Sequence, residues 1–156
     1  MEHDTYLKLA VNEALKGMLK GEGGPFGAVV VRGGEVLGKG HNTVLKSNDP
    51  TAHAEVNAIR NACRHIHHYH LTGAVIYTNF EPCPMCLAAI YWADIRNLYY
   101  CSGRDEAERI GFMDSQLYNE ISLPIQDRAI KSSRRMVDEM DQLLDRWNGL
   151  KGKIFY

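Results

Sequence analysis

Hydrophobic and polar positions alternate with different periods in different parts of the chain. Between residues 2 and 20, apolar side chains recur three or four positions apart, which predicts an amphipathic first helix. The glycine-rich stretch GEGGPFG ends that helix. The segment AVVVRGGEVLGKGHN then places two extended apolar runs around a Gly-Gly turn, the pattern of a β-hairpin. The chain is therefore expected to open with one helix and two strands.

The middle of the chain alternates predicted helices with predicted strands. After a segment of turn-forming residues, apolar positions take helical spacing, so a helix is expected to begin near Ala52. GAVIYTN predicts a buried third strand, PCPMCLAAIYWA a helix entered through prolines, and IRNLYYC a fourth strand. Strands that alternate with helices indicate an α/β protein with a layered sheet.

The pattern weakens after Cys101. GRDEAERIGF predicts a short helix, and MDSQLYNEISLPIQD an irregular or extended excursion over the surface. RAIKSSRRMV predicts a further strand, and VDEMDQLLDRWNGL an amphipathic last helix. The chain shows no internal repeat, and its length of 156 residues predicts one domain, residues 1–156.

Composition and charge narrow the classes of function. Hydrophobic residues make up 45% and charged residues 24%, values that exclude a disordered or fibrous chain. The net charge of -1 gives no general attraction for nucleic acid, although four basic residues could form a local patch: Arg128, Lys131, Arg134 and Arg135. No apolar run approaches the roughly 18 residues of a membrane span. The N-terminus lacks a secretory signal pattern and the cysteines include a Cys-x-x-Cys pair, so we expect a cytoplasmic protein without a membrane partner.

Two short motifs contain the residue types of a metal site: His-Ala-Glu at residues 53–55 and Pro-Cys-Pro-Met-Cys at residues 82–86. Each motif opens a predicted helix, so its imidazole or thiol groups lie on a first helical turn and can converge. Helix N-termini favour thiolates because unpaired N–H groups there carry positive partial charge. No fourth Cys or His has motif-like spacing, which favours an open, catalytic site. We therefore expect one Zn²⁺ per chain, bound by His53, Cys83 and Cys86, with a water or hydroxide as fourth ligand.

Glu55 is the candidate proton carrier of this site. It could take a proton from the bound water, pass it to a ring nitrogen and later protonate a departing amine. His-x-Glu combined with Pro-Cys-x-x-Cys is the signature of zinc nucleobase deaminases. Two other interpretations use the same residues: Cys83 and Cys86 as a redox pair, and Glu55 as a helix-capping charge. Four further histidines show no ligand spacing and are interpreted as part of a solvated loop: His65, His67, His68 and His70.

With these motifs, the chain resembles bacterial guanine deaminases of the cytidine-deaminase-like superfamily nearly from end to end. The resemblance covers GGPFGAVVV, the Asn42 turn, NDPTAHAEV, EPCPMCLAAIYWA, GFMDS and a C-terminal tyrosine. It implies a three-layer α/β/α fold with a central mixed five-stranded sheet, the hydrolysis of guanine to xanthine and ammonia, and a homodimer. In such enzymes the C-terminal segment, here about 115–156, can cross to the partner subunit and cover its active site.

The resemblance also assigns a set of residues to the substrate site. Glu55 and Asp114 are the expected catalytic residues, and five others are expected to bind substrate: Phe26, Asn42, Ala54, Trp92 and Tyr156. The rings of Phe26 and Trp92 could sandwich a flat base, and the Asn42 amide suits the mixed donor and acceptor edge of a purine. Tyr156 would close the pocket and exclude water. Ordinary structural roles are open for the same positions: core packing for the aromatics and turn positions for Asn42 and Asp114.

Two alternative functions stay open at this point. The first is another deaminase of the superfamily, acting on transfer-RNA adenosine, cytosine or an aminotriazine such as ammeline. Salt-dependent RNA binding would distinguish it, because a polyanionic partner requires a basic face near the site. The second is a zinc-stabilised interaction module without catalysis. Glu55 argues against that module, since a structural zinc site does not need a carboxylate beside the metal.

Overall fold

A computed structural model of the chain describes residues 2–156 and divides them into two compact units, one ending at Asn119 and one running from Glu120 to Tyr156. The first unit contains four strands: β1 (Gly27–Arg32), β2 (Glu35–His41), β3 (Val75–Phe80) and β4 (Asn97–Ser102). Its helices are α1 (Glu2–Leu19), α2 (Val44–Ser47), α3 (Ala54–Ile66), α4 (Pro84–Trp92), α5 (Arg104–Arg109) and the greater part of α6 (Asp114–Ser122).

The strands form one mixed sheet in the order β2-β1-β3-β4. β1 pairs antiparallel with both β2 and β3, and β3 pairs parallel with β4 through the connecting helix α4. Across residues 2–156 the sheet therefore has four strands, and the expectation of five strands is wrong. The segment 128–137, which was expected to be a strand, is almost entirely exposed and irregular. Its few apolar residues are separated by charged ones, and the second unit contains no strand with which it could pair.

The hairpin between β1 and β2 follows the predicted turn. Gly33 and Gly34 both adopt positive φ angles, 58° and 85°, which side chains with a Cβ rarely tolerate at two successive positions. The two strands also change register between Val30 and Val31, where a bulge interrupts the pairing. The predicted hairpin is therefore confirmed, with an irregularity that the sequence pattern does not show.

Helices cover both faces of the sheet. Val29, Val31 and Tyr77 form one cluster with Ala10 of α1. Alternate residues of the same strands form the other cluster, which includes Ala28, Val30, Ile76, Ala54, Ala58, Ala62 and Ile90 from the strands and from α3 and α4. This alternation follows from the two-residue period of a strand. The α/β/α layering expected from the resemblance is present in the first unit.

Gly40 lets α3 lie directly against β2. A Cβ at this position would come within 2.5 Å of the backbone nitrogen of Ala58 in α3. Small residues on the facing side of the helix complete the close approach, because Ala54, Ala58 and Ala62 are all buried there. The contact determines how near the start of α3 lies to the sheet and therefore where His53 and Glu55 are held.

The second unit is small and leaves its apolar side chains exposed. It contains a short 3-10 helix at Ile125–Asp127 and the helix α7 (Asp138–Gly149). The predicted last helix is confirmed, but its apolar face is not covered: Met140, Leu143, Leu144 and Trp147 are 40–57% exposed. The segment after residue 112 was expected to be irregular or extended, but much of it forms the helix α6. Its backbone N–H and C=O groups are therefore paired within the helix. Within the described residues, no helix has both the length and the apolar character needed to cross a membrane.

Candidate functional site

Each of the two motifs supplies the N-cap residue of a helix at the site. His53 is the N-cap of α3 and Cys83 is the N-cap of α4, and both have extended backbone angles. Neither side chain makes a capping hydrogen bond, so both remain directed toward other partners. The helix α3 was expected to start near Ala52, and it starts two residues later, at Ala54, with His53 as its N-cap. A metal ligand at an N-cap still lies beside the positive end of its helix.

The three predicted ligands come together around one point. The His53 Nδ1 atom lies 3.6 Å from the Cys83 Sγ atom and 3.5 Å from the Cys86 Sγ atom. All three donor atoms lie within 4.8 Å of one another, and they form the one such group of three or more potential ligands among residues 2–156. One imidazole and two thiols in this arrangement suit Zn²⁺, which prefers nitrogen and sulfur donors. The predicted metal centre, with one Zn²⁺, is therefore confirmed.

Electrostatics already favour a thiolate at this centre. Hydrogen bonding from Cys86 lowers the pKa of Cys83 to about 4, and the bond to His53 contributes in the same direction. The same contact to Cys83 raises the pKa of His53. The pKa of Cys86 is raised by its hydrogen bond to Cys83 and by burial. A negative charge on Cys83 is thus stabilised by its neighbours before any cation is bound, which prepares the site for a metal.

Glu55 lies in the first turn of α3 beside the donor group. Glu55 is only 6% exposed, and its Oε2 atom lies 3.3 Å from the Cys86 Sγ atom. Burial raises the pKa of this carboxyl group. A raised pKa brings the carboxyl group closer to neutral pH, where it can both accept and return a proton. The position agrees with the role of proton carrier.

A cavity of about 430 Å³ opens onto this group, a size within the usual range for small-molecule sites. The predicted residues Phe26, Asn42 and Asp114 line it, together with Glu55, His53 and Cys83. Asn42 is 6% exposed, and its Oδ1 atom accepts a hydrogen bond of 3.1 Å from the backbone N–H of Val44. Asp114 is the first residue of α6, and burial raises its pKa. Polar groups and the aromatic ring of Phe26, all of them predicted, therefore line the same cavity as two of the potential metal ligands.

Several lining residues were not predicted. Phe112 packs edge-on against Phe26, with ring centroids 4.6 Å apart and an interplanar angle of 87°. Leu45 and Pro50 add apolar wall, and Glu81 adds a third carboxylate. Phe112 and Glu81 both lie inside the segments that resemble guanine deaminases, so their proximity to Asp114 and Cys83 was the available signal. Leu45 gave no such signal, because the short helix α2 was not predicted.

Three predicted substrate residues lie elsewhere. Ala54 is buried in the core cluster beneath α3. Trp92 ends α4 with a 67% exposed side chain and is absent from the cavity lining within residues 2–156. Tyr156 belongs to the second unit, where its side chain is exposed. Their contacts with substrate remain predictions. Of the histidine cluster, His65 lies in the last turn of α3, and the other three lie in the loop that follows it; His65, His67 and His68 are exposed and His70 is half-buried.

The layered sheet and its imidazole–thiolate centre with an adjacent buried glutamate define a class: zinc-dependent deaminases with the cytidine-deaminase-like fold. The model of the family described as "cytidine and deoxycytidylate deaminase zinc-binding region" matches residues 1–102. Guanine deaminase of Bacillus subtilis is 44% identical over 156 residues, covering all of both chains. A tRNA-specific adenosine deaminase of Aquifex aeolicus is 35% identical over 92% of both.

The crystal structure of guanine deaminase from Bacillus subtilis superposes with a TM-score of 0.95 and covers 100% of this chain and 99% of the other. The chain belongs to the zinc-dependent deaminase family, among its bacterial guanine deaminases. It is accordingly a hydrolytic enzyme.

Proposed function

We propose that this enzyme hydrolyses guanine to xanthine and ammonia, using one Zn²⁺ per chain. The observation that carries the reaction type is the position of Glu55, buried next to the three-donor group at the edge of the cavity. The full-length match to a guanine deaminase supports guanine as the substrate. A purely structural zinc site gives no reason to bury a carboxylate at this position.

The residues of the chain divide the chemical work among them. When bound, Zn²⁺ lowers the pKa of a coordinated water and so supplies a nucleophile at neutral pH. Glu55 takes a proton from the attacking water and, because burial raises its pKa, can hold it and deliver it to the base and then to the departing amine. Asp114, whose pKa is also raised, is positioned in the same cavity to exchange a proton or accept an N–H bond.

The cavity walls suit a flat, polar base. Phe26 offers a ring for stacking, and Phe112 holds that ring edge-on in its orientation. Stacking of this kind contributes about 1–3 kcal/mol per base in nucleic-acid binders. Asn42 provides both a donor and an acceptor for the mixed edge of a purine, and Ala54 is proposed to contribute through its backbone. These contacts orient the amino-bearing carbon toward the metal centre.

We also propose a cytoplasmic homodimer in which the segment 115–156 completes the deaminase domain of the partner subunit. No side chain of α7, Asp138–Gly149, is buried, although four large apolar residues lie along it. A unit this short cannot bury a core of its own, so its apolar face needs an additional surface. Trp92 and Tyr156 would then close a cavity in the assembled dimer. A reducing compartment keeps Cys83 and Cys86 available for zinc.

Complementation tests the exchange. A Glu55→Gln subunit lacks the proton carrier but has an intact tail, and a Tyr156→Ala subunit has the reverse. If tails cross, mixing and refolding the two inactive or weakened variants assembles one complete site per heterodimer. An equal mixture that pairs at random contains about half heterodimers, so it should recover about a quarter of the wild-type activity per site. No gain above the sum of the two homodimers would show that each tail serves its own subunit.

The reaction itself is tested by ammonia release. Purified protein is offered guanine, adenine, cytosine, ammeline and a transfer-RNA anticodon stem, and zinc is determined on the same sample. The expected result is about one zinc per chain and a clear preference for guanine. Preference for another amine would keep the zinc chemistry and overturn the substrate, whereas zinc without any turnover would support the non-catalytic alternative.

A further inference from the structure

Glu81 is a cavity carboxylate that the mechanism above does not use. It lies two residues before Cys83, in the connection between β3 and α4, and its backbone N–H donates to the Ser102 carbonyl at the end of β4 over 2.8 Å. That bond ties the connection to the neighbouring strand. The cavity therefore contains three carboxylates, Glu55, Asp114 and Glu81, of which the first adjoins the donor group.

Arg104 holds the Glu81 side chain in place. The Arg104 Nε atom lies 3.2 Å from the Glu81 Oε1 atom, and its guanidinium stacks on the ring of Tyr118 with 4.3 Å between the Cζ atom and the ring centroid. The Tyr118 hydroxyl in turn donates to the carbonyl of Pro82 over 2.8 Å. These contacts form a closed network between α5, α6 and the connection that carries Cys83. Such a network orients a carboxylate more firmly than a single exposed ion pair does.

A carboxylate held in this way retains capacity to bind a ligand. It offers about four acceptor positions on two oxygens, and the ion pair with Arg104 engages Oε1. Besides the three carboxylates, the polar side chains of the lining are His53 and Cys83 of the donor group and Asn42, whose Oδ1 atom already accepts one hydrogen bond from the Val44 N–H. Purine bases present ring N–H groups that require an acceptor once water is excluded. Glu81 is the charged acceptor that the cavity lining offers in addition to the catalytic carboxylates and the neutral Asn42 amide.

We propose that Glu81 is a substrate-recognition residue whose carboxylate accepts a hydrogen bond from a ring N–H of the base, with Arg104 as the positioning residue that acts through it. This inference rests on the proposed deamination of a purine in the same cavity. Because the contact exists in the bound substrate as well as in the transition state, it contributes to KM more than to kcat. A hydrogen bond to a charged acceptor corresponds to about 10- to 100-fold in kcat/KM.

Variant kinetics provide the first test. Glu81→Gln keeps the size of the side chain and removes its charge, and Arg104→Gln removes the positioning contact. Because the Gln amide oxygen still accepts a hydrogen bond but carries no charge, we expect Glu81→Gln to raise KM for guanine about 5- to 10-fold with kcat within about 3-fold, and Arg104→Gln to raise KM less. Asp105→Asn, which removes an exposed charge next to Arg104, is the matched control and should leave KM unchanged. Glu81→Asp, which keeps the charge, should recover part of the loss.

Zinc content and thermal stability distinguish recognition from scaffolding. If Glu81 only supports the connection before Cys83, its variants lose zinc or stability and kcat falls together with kcat/KM. That result, or a KM for Glu81→Gln within 2-fold of wild type, would overturn the proposal. Should Glu81→Gln fail to fold, the comparison is made with Glu81→Asp, and an unchanged KM there together with an unchanged KM in Arg104→Gln has the same meaning.

Methylated substrates identify the N–H group. Wild type and Glu81→Gln are each assayed with guanine and with its 1-, 7- and 9-methyl derivatives. One methyl derivative should lower the kcat/KM of the wild type by the same factor by which Glu81→Gln lowers kcat/KM for guanine. When the variant is assayed with that derivative, the two factors should not multiply, because both changes remove the same hydrogen bond. Losses that multiply for every derivative would contradict the contact. Turnover of guanine by the wild type is measured first. If guanine is not deaminated, the proposed function has failed, and the comparison of wild type with Glu81→Gln is made with the base that the enzyme does deaminate.

Discussion

Replacing Glu55 by Gln removes the proposed proton carrier and changes little else. The substitution keeps the shape of a side chain that is only 6% exposed and preserves the first turn of α3. It eliminates a carboxyl group whose pKa is raised by burial and whose Oε2 atom lies 3.3 Å from the Cys86 Sγ atom. The three zinc ligands are unchanged. We therefore expect a folded, zinc-loaded protein that turns over very slowly.

The magnitude follows from the number of proton transfers that this carboxylate serves. General acid–base catalysis contributes about 10²- to 10⁴-fold, and Glu55 is assigned both the uptake and the return of the proton. The loss should therefore lie near the upper end, about 10⁴-fold in kcat. At about 1.36 kcal/mol per tenfold, this corresponds to about 5.4 kcal/mol in the barrier. The amide cannot substitute, because it neither binds nor releases a proton at neutral pH.

The assay is ammonia release from guanine, with zinc content and thermal unfolding measured on the same preparation. Glu35→Gln, at an exposed position of the hairpin, is the control for loss of one negative charge and should behave like wild type. If Glu55→Gln retains zinc and keeps more than about one hundredth of the wild-type kcat, another group carries the proton and the assignment is refuted. Loss of zinc in this variant would show that Glu55 supports the metal site instead.

Three further predictions concern the metal, the packing and the pH dependence. Cys83→Ala should reduce zinc from about one per chain to near zero and abolish turnover, measured by metal analysis; full occupancy would contradict the ligand assignment. Gly40→Ala forces β2 and α3 apart and should cost about 1–3 kcal/mol in urea unfolding, whereas Gly149→Ala, with no atom near the added Cβ, should not destabilise. Hydrogen bonding, first from His41, lowers the Glu22 pKa from 4.5 to about 2, so its stabilising contribution is complete above pH 4.5 and is lost as the pH falls toward 2. Glu22→Gln should therefore lose stability at pH 7 and show a shallower decline in acid; an unchanged curve would refute this.

Local sequence patterns predicted the elements of the first unit well. The helix ending near residue 20, the hairpin and the alternation through β4 all follow from apolar spacing and from glycine and proline positions. The displaced boundary at the start of α3 is informative. An N-cap residue has extended backbone angles, and the sequence does not show whether His53 is the cap or the first helical residue.

The C-terminal part was predicted less well because its sequence pattern does not show which surface or strand it packs against. The apolar positions of α7 indicated the helix correctly, but helical spacing alone does not determine what covers the apolar face. The segment 128–137 combines β-branched and charged residues that suit a strand only if a neighbouring strand edge is available. Strand formation depends on such nonlocal pairing, which local composition does not contain.

The sequence by itself located the three potential zinc ligands and the proposed proton carrier, because His53, Glu55, Cys83 and Cys86 lie within short motifs whose spacing around two helix N-termini is local. Only the tertiary structure decided which side chains share the cavity. It brought Phe112 and Glu81 into the cavity and left Trp92 at the exposed end of α4. A cavity is formed where separate loops and helices pack against one another, so its lining depends on distances between segments that are far apart in the chain. The potential metal ligands are recognisable in short stretches of sequence, whereas the residues that contact substrate are set by the packing of distant segments.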